Sequence, residues 1–189
     1  MKINTLKDLL LVVDVQNDFI TGSLAIKDAE TIIPIINKYK EKLPMCVFTK
    51  DMHPKNHCSF IKKGGPWPPH CVKGTFGSEL HKDINYNEKK DRVIEKGVKV
   101  EEDAYSAFAD NELDSLIEEC GIKRIFVCGL ATEYCVKETV IGAMLYTNAE
   151  VYLLIDAIKP VNIELEDEYI AICEMIYDGS MLIKLDMLD

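Results

Sequence analysis

The 189-residue chain has seven cysteines but no Cys-x-x-Cys pair. That absence excludes the paired-thiol metal and redox motifs. An odd count with no framework spacing argues for free thiols, not a disulfide scaffold. Cys46, Cys128 and Cys173 stand in apolar stretches and read as small core residues. Basic runs are also missing: 22 Lys and Arg face 32 Asp and Glu, a net charge of −10. Nucleic acid is therefore not an expected partner. The longest apolar run, Leu9 to Val13, is too short to span a bilayer, and no membrane partner is expected. Met1 to Asp8 lacks a signal-peptide pattern, so a soluble, cytoplasmic protein is expected. There is no phosphate loop, dinucleotide fingerprint, His-Glu-x-x-His or serine elbow, and hence no sign of a nucleotide cofactor.

What is present is a chain of single-domain size, 48% hydrophobic, able to bury a core. Short apolar runs alternate with helical patterns. Strands are expected at Leu9–Val13, Met45–Thr49, Arg92–Lys96, Arg124–Cys128, Val151–Ile155 and Met181–Leu185. Helices are expected near 28–43, 110–119, from Ala131 to about Tyr146, and 163–177. β-branched runs without strict alternation, separated by helices, imply strands buried on both faces. The expected fold is a three-layer α/β/α domain over residues 1–189, with a mostly parallel six-stranded sheet. Residues 51–87 break the rhythm and hold four prolines and all four histidines. So long an irregular stretch inside a compact domain is usually functional.

Ligand sites in such sheets lie beyond the carboxyl ends of the strands. Asp14, Asp51 and Lys96 fall at three of those ends, and Cys135 just past a fourth. Cys135, after Gly129-Leu130-Ala131-Thr132-Glu133-Tyr134, sits where a helical pattern starts. The helix dipole there is expected to lower its thiol pKa. Asp14 alone reads as a cap or turn residue, or as a carboxylate able to take the thiol proton. Lys96 reads as a solvated strand end, or as a cation that favours the ionised forms of both neighbours. Asp51-x-His53, with His70 further on, has oxygen and imidazole donors suited to a divalent metal in an open site. His57 is a further candidate, His81 a surface residue and Asp18 a turn residue. Phe19, Trp67 and Tyr105 are core aromatics or the walls of an apolar slot for a ring.

Together these segments resemble the isochorismatase-like cysteine hydrolases, most closely the nicotinamidase/pyrazinamidase family. The carrying residues are Val13-Asp14-Val15-Gln16-Asn17-Asp18-Phe19, Asp51-Met52-His53-Pro54, Gly65-Pro66-Trp67-Pro68-Pro69-His70-Cys71-Val72, Glu95-Lys96-Gly97, Ala104-Tyr105-Ser106-Ala107-Phe108 and Gly129 through Val136. They follow the family order and cover most of the chain. The resemblance implies an amidohydrolase acting on nicotinamide in NAD salvage, with a catalytic triad of Asp14, Lys96 and Cys135. It implies one divalent metal ion, usually zinc and sometimes iron or manganese, on Asp51, His53 and His70. It implies a ring pocket of Phe19, Trp67, Tyr105 and Leu130. A cis peptide at Leu130–Ala131 is implied too, with the amides of Ala131 and Cys135 aimed at an oxyanion. The rivals are another cysteine amidase of the superfamily, acting on a carbamoyl or ureido substrate, and a catalytically silent binding member. Nothing in the sequence opposes a homo-oligomer.

Overall fold

The computed structural model describes residues 1–109 and 112–189. Strand β1 (Asp8–Val13) is buried along its whole length, as a central parallel strand must be. A single helical turn, α1 (Asn17–Ile20), follows it. Helix α2 (Ile33–Lys42) has Pro34 in its first turn, a position where proline's missing N–H costs nothing. Strands β2 (Cys46–Asp51) and β3 (Arg92–Lys96) come next, separated by the histidine-bearing segment. Then follow α3 (Glu112–Cys120), β4 (Arg124–Leu130), α4 (Lys137–Tyr146), β5 (Glu150–Lys159), α5 (Asp167–Tyr177) and β6 (Met181–Ile183).

Among the described residues the six strands form one parallel sheet in the order β3-β2-β1-β4-β5-β6. The expected class is therefore correct, and the sheet is wholly parallel. Helix α2 covers one face, burying Ile33, Ile36 and Tyr39 with Leu10, Val12 and Phe126. Helices α3, α4 and α5 cover the other, where Leu113, Ile117, Val140, Ala143 and Met175 meet Leu9, Leu11 and Val127. The chain runs outward from β1 to β3, then returns to β4 on the other side of β1. The switch point thus lies between β1 and β4, where a crevice opens beyond the strand ends.

Several boundaries differ from expectation. The pattern at 28–43 splits into a tight 3-10 turn (Ala29–Ile32) and α2. The helix expected at 110–119 is described over Glu112–Cys120, and residues 110 and 111 lie outside the described residues. The helix after Ala131 is not continuous. A wide turn spans Thr132–Val136, with Tyr134 out of helical conformation, before α4 begins. Residues 163–166 are irregular and α5 starts at Asp167. β5 extends to Lys159 because a register slip opposite Val127 and Gly129 lets pairing resume. Cys46 and Cys128 are buried as expected, but Cys173 is exposed, because α5 turns it away from the sheet. No described helix is long and apolar enough to cross a membrane.

Candidate active site

Parallel pairing brings the expected polar residues to one edge. Asp51 and Lys96 are register partners at the ends of β2 and β3. Asp14 follows β1 directly, with φ +50. Lys96 Nζ lies 2.7 Å from Asp14 Oδ2, 2.5 Å from Asp51 Oδ1 and 3.2 Å from Cys135 Sγ. One oxygen of each carboxylate and Cys135 Sγ all fall within 4.8 Å of one another. Thr49 Oγ1 donates to Asp14 Oδ1 at 2.6 Å. Among the described residues, Oδ2 pairs with Lys96 and has no better-directed donor. It is the oxygen left open to take a proton. All of these residues are buried.

Burial raises the proton affinity of the Asp14 carboxyl, an effect that Lys96 only partly offsets and Asp51 reinforces. Burial likewise works against the charged form of Asp51. There the Lys96 charge and the His53 hydrogen bond win, and they hold the carboxyl well below the usual range. Lys96 is pushed down by burial but held well above its ordinary value by Asp14 and Asp51. The expected fall in the Cys135 thiol pKa does not occur. Burial drives it well above the usual value; Lys96 opposes this, while Asp14 and Asp51 add to it. Cys135 does stand where helical backbone resumes after the kink at Tyr134 and runs on into α4, but burial outweighs that position. The resting thiol therefore keeps its proton, and a base is needed to remove it.

Asp51, His53 and His70 present donor atoms within 4.8 Å of one another, all buried. His53 Nδ1 pairs with the Gly97 carbonyl at 3.0 Å, and His70 Nδ1 with the Pro68 carbonyl at 2.8 Å. Such backbone partners fix the ring orientation and leave Nε2 as the donor. Gly97 has φ +62, and a Cβ there would stand 2.4 Å from the His53 ring, so only glycine fits. One carboxylate and two oriented imidazoles suit a divalent ion with open positions. His57 is not in this group. Its Nδ1 meets Ser59 Oγ at 2.7 Å, its Nε2 meets the Glu102 carbonyl at 3.0 Å, and its ring stacks on His53.

A cleft opens above Cys135, lined by Phe19, Leu24, Ile26, Trp67, Tyr105, Ala131, Tyr134 and Val161, with Asp51 and His70 at its metal-donor side. Trp67 Nε1 donates to Tyr105 Oη at 2.9 Å, fixing both rings. Tyr134 stands edge-on to Trp67, ring centres 5.0 Å apart. A flat apolar slot thus ends on a thiol.

Comparison with known proteins agrees with this geometry. The isochorismatase domain model matches residues 8–180. The nicotinamidase of Acinetobacter baylyi is 36% identical over 81% of this chain and 81% of its own length. The pyrazinamidase of Pyrococcus horikoshii, solved in complex with zinc, is 39% identical, with a TM-score of 0.88 over 94% of this chain and 99% of that one. The PnC1 protein of L. infantum, solved in complex with nicotinate, is 36% identical, with a TM-score of 0.94 over 100% of this chain and 98% of that one. The chain belongs to the isochorismatase-like hydrolases, in their nicotinamidase/pyrazinamidase branch. It is accordingly an amidohydrolase.

Within this hydrolase family frame, the structure brings Asp14, Lys96 and Cys135 together, and likewise Asp51, His53 and His70. The Leu130–Ala131 peptide is cis. Phe19, Trp67 and Tyr105 reach the cleft, but Leu130 does not. It ends β4 beside Lys159, and its side chain is fully buried in the core cluster on that face. Tyr134 takes the wall instead, a position that a regular helix would not have given it. Two further residues escaped the sequence. Gln16 bridges the end of β2, donating to the Asp51 carbonyl and accepting from the Asp51 amide, both at 2.8 Å. Asp18, expected as a turn residue, accepts from the Cys71 amide at 2.7 Å and so holds the strand of chain that carries His70. A polar residue inside an otherwise buried segment was the one available signal for Gln16.

Proposed function

We propose that this enzyme hydrolyses nicotinamide to nicotinate and ammonia through a cysteinyl thioester, feeding NAD salvage; pyrazinamide is an expected alternative substrate. The observation that carries this is the placement of Cys135, beside an acceptor carboxylate and a cation, at the floor of a ring-shaped aromatic slot. Asp14 takes the Sγ proton, and the thiolate adds to the carboxamide carbon. Lys96 balances the charge that moves between Asp14 and Sγ. The oxyanion is assigned to the amides of Ala131 and Cys135, where each donor is worth about 2.7–4 kcal/mol by analogy with other acyl-transfer sites. Asp14 returns its proton to the nitrogen, ammonia leaves, and the thioester remains. Asp14 then takes a proton from water. Hydroxide adds to the thioester, and the Sγ that leaves recovers that proton.

Asp51, His53 and His70 would hold one divalent ion, zinc first and iron or manganese next, which would supply Lewis-acid polarisation and orientation of the substrate. Phe19, Trp67, Tyr105 and Tyr134 fit the faces and edges of a pyridine ring. The seven free thiols suit a reducing, cytoplasmic setting.

The deciding measurement is ammonia release from nicotinamide beside a carbamoyl amino acid, with and without chelator. Turnover of nicotinamide, lost in Cys135→Ala, is the expected result. Release only from the carbamoyl compound would move the chain to the other amidase type. Release from neither would leave a silent binding member.

A further inference from the structure

The outward face of α5 contradicts the burial rule that shapes the rest of the fold. Tyr169, Ile170, Cys173, Ile176 and Tyr177 are spaced to share one stripe of the helix, and all five are exposed to solvent. Tyr169 is 70% exposed and Tyr177 91%; Leu165, four residues before Tyr169, is 97% exposed. Ala171 and Met175, by contrast, carry the buried side of the same helix. A soluble monomer rarely leaves so contiguous an apolar strip bare.

The stripe is a palindrome in type. Read outward from Cys173, isoleucines stand at 170 and 176 and tyrosines at 169 and 177. Two copies of α5 laid antiparallel about a two-fold axis through Cys173 would set Tyr169 against the partner's Tyr177 and Ile170 against the partner's Ile176. An isologous dimer needs this self-complementarity. Area supports it as well. Taking about 150–250 Å² for a fully exposed tyrosine and somewhat less for an aliphatic residue, the six side chains expose about 700 Å², against about 800 Å² that one partner gives a standard interface.

We infer that the α5 face is the seat of a two-fold homodimer, in which α5 packs antiparallel on α5 with Cys173 at the axis.

Sedimentation of the full chain over a range of protein concentrations tests this. A reversible dimer that grows with protein concentration is expected. Tyr177→Glu should weaken it by roughly tenfold or more, because charge is forced into the apolar centre, while Tyr177→Phe should not. Tyr177 is exposed, and circular dichroism checks that the fold persists. A bifunctional maleimide should cross-link the parent chain and fail with Cys173→Ser. A strict monomer at every concentration would overturn the dimer. So would a dimer indifferent to Tyr177→Glu. A monomer that binds neutral phosphatidylcholine vesicles, and loses that binding in Tyr177→Glu, would assign the face to a lipid surface instead.

Discussion

Two ion-pair clusters stand at opposite ends of the same central strands. At the amino edge, Asp8 and Arg124 are register partners on β1 and β4. Arg124 Nε and Nη2 donate to the two Asp8 oxygens at 2.7 and 2.5 Å, and the Asn4 amide adds a third donor at 2.6 Å. One acid meets one base, with every oxygen served. At the carboxyl edge one base, Lys96, serves Asp14, Asp51 and a thiol, with Thr49 and His53 adding one partner each, and among the described residues Asp14 Oδ2 has no directed donor beyond that ion pair. The amino-edge pair is built for stability. The carboxyl-edge cluster carries surplus negative charge in a buried place, which is costly unless chemistry or a cation uses it.

The largest expected effect is on the unbalanced side. Cys135→Ala should lower ammonia release by roughly 10⁴-fold or more while thermal unfolding changes little, since a nucleophile's loss removes the whole covalent route. Measurable turnover near the parent level would remove Cys135 from the nucleophile's role.

Asp14→Asn should cost nearly as much activity, yet leave the metal-free protein as stable as the parent or more so. The sign follows from its raised pKa. A carboxyl whose folded pKa lies above its unfolded value contributes stability at low pH and loses it as pH rises through the folded value. Ionising it in the folded protein is a burden that asparagine lacks. The gap in Tm between variant and parent should therefore widen with pH above about 3.8, the ordinary aspartate value. A gap that narrows would reverse the assignment. The same raised pKa places the acid limb of kcat/KM above that value in the parent.

His53→Ala should reduce bound divalent metal, by elemental analysis of protein purified without added metal, and lower activity by roughly 100-fold. Full activity in a metal-free preparation would detach the metal from catalysis.

The smallest effect on turnover belongs to the balanced pair. Asp8→Asn should keep activity within about twofold while lowering stability by about 2 kcal/mol, as a buried charged hydrogen-bond set is broken. Chemical denaturation and the ammonia assay, run on one preparation, read both quantities. Equal losses in both assays would blur the distinction between the two edges.

The alternation of apolar runs and helical patterns was enough to give the order of strands and helices and the parallel class, because burial on both faces forces β-branched runs without alternation. The residues at strand ends were equally legible. In a parallel sheet those ends must share an edge, so Asp14, Asp51, Lys96 and Cys135 converge whatever the loops do. The two histidines were legible because all four histidines crowd into one irregular segment. Periodicity could not show that the helix after Ala131 opens into a wide turn. Tyr134 therefore joined Phe19, Trp67 and Tyr105 on the slot wall, while Cys135 kept the helix start beyond the kink. Nor could local pattern show the protonation of the thiol, which depends on burial and on two carboxylates distant in sequence. Cys173 looked like core by its neighbours, and only the packing of α5 on the sheet turned it to solvent. Local sequence thus determined the elements, their order and the chemical groups at their ends. Tertiary structure decided which faces meet, what each charge is surrounded by, and where the protons rest, because those depend on distances between residues far apart along the chain.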